Sequence, residues 1–300
     1  MLHHYPEPGV DCAVSDSSRW WQALSAPELR LVIGDDAIEC LLFDRPWLPG
    51  KRVALRSHHR EVLVGEGQDS LPSESAWQRL HTMLAPLAGQ RWHVVIVLSN
   101  QYARWLVLPW QAEILSEADK AAYYRHGLQQ AFGADACDWQ VQAQGGAYGQ
   151  PTLLNALPLA LINRLQTVLQ TYHLAPGVIT SAWTLSANQS LQLMRQQRLP
   201  RAGWIICRES GSLTMACLMQ GYWQQMRQIA VDAQWAHTLK QCLLREQVMY
   251  PDRAALPVYL SQAALRADTR QMLSPFQVVE VQPSGRLGAS YQPMWQSEMA

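Results

Sequence analysis

Two short turns hold the residues best suited to chemistry: Val32-Ile33-Gly34-Asp35-Asp36-Ala37-Ile38 and Arg208-Glu209-Ser210-Gly211-Ser212. A hairpin turn that cradles a phosphate needs a carboxylate to organise the metal. It also needs small residues, so that backbone amides can approach the ligand. The first turn has Gly34, Asp35 and Asp36, but no glycine follows the carboxylates. Two adjacent carboxylates repel a phosphate unless a metal stands between them. The second turn offers Ser210, Gly211 and Ser212, yet carries Arg208 and Glu209 in place of an Asp-x-Gly pattern. These residues are candidates for a vestigial nucleotide cleft, and no residue is assigned a catalytic role. Lysine occurs only at Lys51, Lys120 and Lys240, and GxxxxGK[ST] occurs nowhere, which excludes a P-loop.

Other chemistry has less to stand on. The loop Gly145 to Gly149 reads as a flexible turn. His3-His4 and His58-His59 are adjacent pairs whose side chains diverge in an extended chain, so no metal site is assigned. Ser99 precedes Asn100 without a GxSxG elbow, which leaves a serine hydrolase unsupported. The cysteines at 12, 40, 137, 207, 217 and 242 stand singly with no CxxC pair, as free thiols do in a reducing compartment.

The elements that must position the turns follow from periodicity. Strands are predicted at 31–34 and 37–43, joined by the Asp-rich turn. A third spans 52–64, interrupted by the polar stretch 57–60. Trp77, Leu80, Leu84 and Leu87 give a helix over 73–88 with Ser73 as its cap. A buried strand over 92–98 is followed by 102–108 as its hairpin partner across Ser99-Asn100-Gln101. Next come a helix over 116–132 capped by Ser116, short strands at 139–143 and 152–157, and a helix over 159–172. A strand over 177–183 and a helix over 185–198 complete the first half. The second half reads as a meander of strands at 204–207, 213–219 and 222–229. A helix over 232–248, a strand over 258–260, a helix over 263–273 and a strand over 277–281 follow.

That order, βββαβαβ, occurs twice, and it is the topology of the actin-like (RNase H-like) fold in two lobes, of class α/β with mixed sheets. The expected division is an irregular arm over 1–28 and a first lobe over 29–200 with an inserted subdomain near 133–158. A second lobe over 201–282 and a tail over 283–300 complete it. In such a fold a Gly-Gly adenosine loop would stand where Leu260-Ser261-Gln262-Ala263-Ala264 is found. A degenerate, non-catalytic relative is therefore expected, with no cofactor. ATP and magnesium belong to the alternative, an ATPase or kinase with atypical loops.

Composition bounds the rest. The chain has 300 residues, 48% hydrophobic and 16% charged, which excludes an intrinsically disordered protein. Its 24 basic and 24 acidic side chains cancel, against a role resting on a basic field for nucleic acid or anionic lipid. No apolar run reaches the ~20 residues of a membrane span. The start, Met1-Leu2-His3-His4-Tyr5-Pro6, has neither the basic residues nor the apolar stretch of a signal peptide. A cytoplasmic protein is expected. Tryptophan is the oddity, with 13 against 3 phenylalanines. Most should anchor the core, while Trp20, Trp21 and Trp295 lie in the predicted arm and tail and are candidates for docking a partner.

Val95-Ile-Val-Leu-Ser-Asn-Gln-Tyr-Ala-Arg-Trp-Leu-Val-Leu-Pro-Trp110 resembles a segment of PilM-like proteins of type IV pilus and related assembly systems. So does the helix that follows, ending Gln130-Ala-Phe-Gly133, with Trp139 just beyond. Ser210-Gly-Ser-Leu-Thr214 followed by Gln220-Gly-Tyr-Trp223 resembles the second-half meander of the same family. The cytoplasmic part of the type II secretion L-component is a cousin, but it carries a membrane helix. The resemblance implies an actin-like scaffold, peripheral to the inner membrane. Its implied partner is an inner-membrane assembly protein whose short cytoplasmic N-terminus it captures. It also implies no direct contact with nucleic acid, and it leaves room for self-association.

Overall fold

The computed structural model describes residues 27–34, 36–44, 54–63, 71–114, 116–133, 138–145, 148–261 and 265–281. Two sheets share one plan. In the first, β1 (Glu28–Ile33), β2 (Ala37–Asp44) and β3 (Ala54–Val62) form an antiparallel meander. β4 (His93–Leu98) and β8 (Pro176–Ser181) then add in parallel, giving the order β3-β2-β1-β4-β8. The second sheet repeats it: β9 (Gly203–Arg208), β10 (Ser212–Met219) and β11 (Tyr222–Ala230) meander, and β12 (Val258–Ser261) and β13 (Val278–Val281) run parallel. Its order is β11-β10-β9-β12-β13. The duplicated βββαβαβ unit expected from the sequence is present.

Helices cover these sheets because their apolar stripes fit nowhere else. In α1 (Glu74–Leu84), Ala76, Trp77, Leu80, Met83 and Leu84 are buried at helical spacing, and Ser73 Oγ caps the start by accepting from Ala76 N–H at 3.2 Å. α2 (Glu117–Phe132) follows β5 (Arg104–Leu108), and α3 (Leu159–Thr171) follows β7 (Thr152–Pro158). α1 and α3 pack on the outer face of the first sheet, over Leu29, Leu31, Ile33, Ile38 and Ile96. α5 (Trp235–Met249) and α6 (Ala267–Met272) lie beyond β11 and β12, and α5 buries Leu239 and Leu243 against Trp204, Ile206 and Leu213.

The layer between the sheets is the centre of the molecule. α4 (Ala182–Gln196) runs there, with Trp183, Ala187 and Met194 buried. Val32, Leu41, Phe43, Val95 and Val97 meet it from one sheet, and Ile205, Cys207, Ala216 and Tyr259 from the other. Trp183 is clamped edge-on between Trp105 at 4.6 Å and Trp223 at 5.0 Å between ring centroids.

Three local expectations fail, each for a physical reason. The strand at 102–108 does not return beside β4. A 3-10 turn at Asn100–Tyr102, capped by Ser99, turns the chain away, and β5 instead pairs with β7 in a separate sheet of order β5-β7-β6, with β6 at Trp139–Gln144. Trp183 belongs to α4 and not to the preceding strand, because Ser181 accepts from Thr184 N–H and starts the helix there. β3 is continuous through its polar stretch. His58 pairs with Glu39 at 3.1 Å and Arg60 approaches Glu39 at 3.6 Å, so these side chains are neutralised across the strand pair without a break.

The β10–β11 turn is the two-residue Gln220-Gly221, both with positive φ of 52° and 85°, the geometry of a type I′ hairpin. Trp183→Ala should empty the inter-sheet layer and cost about 3–5 kcal/mol. A urea unfolding curve with a lowered midpoint and unchanged slope is the expected result.

Candidate functional site

The two hairpin turns meet the segments that follow β4 and β8. The first turn is closed on itself: Gly34 N–H donates to Ala37 O at 2.8 Å. A Cβ at Gly34 would stand 2.9 Å from that oxygen, so glycine is required by close approach. Tyr102 Oη donates to Gly34 O at 3.3 Å. Asp36 is turned sideways, its carboxylate 3.6 Å from Arg60 of β3. Asp35 lies outside the described residues.

The second turn crosses to the first half of the chain. Glu209 is 3% exposed, and its carboxylate oxygens accept from the Asn100 N–H at 3.2 and 3.0 Å. Asn100 is wholly buried, and its Oδ1 accepts from Trp183 N–H at 2.8 Å in the first turn of α4. Its Nδ2 donates to Cys207 Sγ at 3.6 Å. An amide after a strand end and an amide in a helix's first turn are the donors that bind anions in phosphate sites. Here both are taken by the protein's own carboxylate and carboxamide. Ser210, Gly211 and Ser212 hold the turn: Ser212 O accepts from Glu209 N–H at 2.8 Å, and Gly211 O from Val231 N–H at 3.0 Å. Of the expected cleft, Gly34 thus meets Tyr102 and Asp36 meets Arg60.

Cys207 sits beside Asn100, and its thiol is pushed up to about 12. Burial is the main cause, followed by the charge of Glu209, while hydrogen bonds from Ser186, Asn100 and Ser261 act the other way. Burial likewise pushes the thiols of Cys40 and Cys217 up to about 12.

A second feature lies on the inserted sheet. Its inner face has two characters. Trp105, Val107 and Leu153 join the inter-sheet core. Towards β6 the same face turns polar with Gln140 and Gln142, opposite Leu157 and Asn155. That polar part does not close onto the first sheet, and a groove of about 230 Å³ remains. Gln140, Gln142 and Asn155 line one wall, Ile162 and Gln166 of α3 the floor, and Gly177 to Ile179 of β8 the other wall. No charged side chain lines it. β6 and β8 each stand last in their sheets, so among the described residues each leaves one row of backbone N–H and C=O groups without a strand partner. Asn155 Oδ1 is buried there with no hydrogen-bond partner among the described residues.

Trp20, Trp21 and Trp295, named from the sequence as docking residues, lie outside the described residues. His58 and His59 point to opposite faces of β3 and take separate carboxylates, Glu39 and Glu61, each at 3.1 Å. Of the Gly145–Gly149 loop, Tyr148 is 87% exposed and its ring packs 4.6 Å from that of Trp110. Sequence reasoning passed over Asn100 and the groove. The alternation Trp139-Gln140-Val141-Gln142 was the available signal, since it gives a strand one apolar and one amide-bearing face.

No family model matches the chain, and no curated protein does. Among solved structures it is similar to one titled PilM-PilN type IV pilus biogenesis complex, at TM-score 0.60 and 13% identity over 89% of this chain and 90% of that one. A Bacteroides thetaiotaomicron protein of actin-like ATPase fold and unknown function aligns at TM-score 0.55 and 10% identity, covering 87% and 93%. The cytoplasmic domain of EpsL, an inner membrane component of the Vibrio cholerae type II secretion system, aligns at 0.51 and 12%, covering 78% and 82%. The chain has the actin-like fold that these proteins share.

Asn100→Ala should strand the Trp183 amide while leaving the backbone N–H that serves Glu209 in place, lowering stability by about 1–3 kcal/mol in urea unfolding. The three thiols raised to about 12 are protonated more readily in the folded than in the unfolded chain. Their contribution is full below the unfolded thiol value of about 8.5 and is lost as pH rises towards 12. Unfolding free energy measured between these limits should fall with pH, and Cys207→Ser should make the fall shallower.

Proposed function

We propose that the chain is a non-catalytic scaffold of a type IV pilus or related secretion assembly, which captures the cytoplasmic segment of a membrane-anchored partner. The observation that carries this reading is the uncharged groove between β6 and β8. An extended peptide there finds unpaired backbone groups on both sides and carboxamides at Gln140, Gln142 and Asn155 to satisfy its own. The relative titled as a PilM-PilN complex is itself an assembly of two proteins, and EpsL is described as an inner membrane component. The first description supports a protein partner, and the second supports a place at the inner membrane. No helix among the described residues is long and apolar enough to cross a membrane, so attachment through such a partner fits a cytoplasmic, peripheral protein. The two sheets with their helices form two lobes in this reading, the inserted sheet offering one wall of the groove.

The absence of catalysis belongs to the same proposal. Glu209 and Asn100 satisfy the amides that phosphates would use, and Asp36 is committed to Arg60, which leaves ATP and magnesium without an evident cradle. Placing an anionic nucleotide beside the buried Glu209 would cost several kcal/mol of repulsion.

Two measurements test this. In fluorescence anisotropy, the labelled cytoplasmic N-terminus of the membrane partner should bind the wild-type protein. Gln142→Arg combined with Val178→Glu, which puts charges on both walls, should weaken it by about tenfold or more; unchanged binding would refute capture in this groove. In thermal denaturation, magnesium with ATP should leave the midpoint where it is. A rise of several degrees would favour the alternative, an ATPase or kinase with atypical loops.

A further inference from the structure

A cation on the outer face of the second sheet has no use in the reading above. Arg208 ends β9, and strand alternation puts it with Trp204 and Ile206 under α5, away from Cys207 and the inter-sheet layer. The residue is 8% exposed. Its Nε is buried without a hydrogen-bond partner, and no ion pair or hydrogen bond to its guanidinium occurs among the described residues. A buried guanidinium without a counter-charge is costly, and burial holds it below its ordinary pKa.

What the guanidinium faces points to a ligand. Its central carbon lies 5.1 Å from the ring centroid of Trp235, and Trp235 is the first residue of the 15-residue helix α5. No side chain caps that helix. In its first turn Trp235 N–H donates to Asp232 O at 3.2 Å, and His237 and Thr238 N–H donate to Gln234 O at 2.9 and 3.2 Å. Ala236 N–H is left without an acceptor among the described residues. The open Ala236 amide at the helix start and the arginine without an ion pair are independent features, joined through Trp235, and both favour negative charge.

The charge balance selects the kind of anion. The guanidinium and the helix end, worth roughly +0.5 charge, are partly offset by Asp232, whose Oδ1 accepts from Gln234 N–H at 2.8 Å. That leaves about half a positive charge, which a singly charged anion matches more closely than a doubly charged one. We propose that Arg208, the Ala236 amide and the Trp235 ring form a binding site for a carboxylate group. The forked guanidinium matches its two oxygens, and the indole face holds the fork in plane. The carboxylate is carried either by a small free acid or by an acidic side chain of a protein.

Acetate is the minimal probe for the full-length protein, added at constant ionic strength against chloride. In heteronuclear NMR, the Arg208 Nε–Hε and Ala236 N–H resonances should move saturably with acetate. Arg208→Lys keeps the charge but loses the fork, and it should weaken apparent affinity by about tenfold. Ala236→Pro removes the amide at a first-turn position that tolerates proline, and should also weaken it. It decides the question if the arginine variant fails to fold. A short glutamate-bearing peptide that binds more tightly than acetate assigns the carboxylate to a protein, and equal binding assigns it to a free acid. Unmoved resonances overturn the site. So does acetate binding unchanged by the substitutions, or inorganic phosphate binding more tightly than acetate.

Discussion

The contact on which the rest depends is the buried chain from Glu209 through Asn100 to Trp183. It ties the second turn to the end of β4 and to the first turn of α4. Such hydrogen bonds are modest in net worth when made and expensive when one partner is missing. A buried carboxylate raises the stakes further, because its charge must be met by donors wherever it sits. The two halves of the chain are therefore locked by polar complementarity, and Trp183 adds an apolar clamp between Trp105 and Trp223.

The lock has a consequence for chemistry. The amide after β4 and the amide in the first turn of α4 are both spent on internal acceptors. The groove, in contrast, is kept open by the inserted sheet. At Trp105, Val107 and Leu153 that sheet is apolar and binds the core, and at Gln140 and Gln142 it is polar and stands off. One sheet face thus does two jobs along its width, because residues on adjacent strands share a face in register.

Reading the chain alone found the meander twice and the capped helices at Ser73 and Ser116. It mistook β5 for a partner of β4, since adjacency in sequence is the default for antiparallel strands. A 3-10 turn is set by capping at Ser99 and by what Asn100 reaches in space, and neither is periodic. Trp183 was read as strand for a related reason: an apolar run before a helix does not show where Ser181 will cap it.

The sequence by itself determined the two units and their element order, because apolar periodicity and turn chemistry are local properties. It also determined that the second turn carries Arg208 and Glu209 and no Asp-x-Gly pattern. Tertiary structure alone decided what Glu209 does there, because its partner Asn100 lies 109 residues away. It likewise decided that β6 and β8, from different sheets, flank one groove, and that Arg208 meets the start of α5 without a counter-charge. Burial and pairing across such separations follow from packing, and no window along the chain contains them.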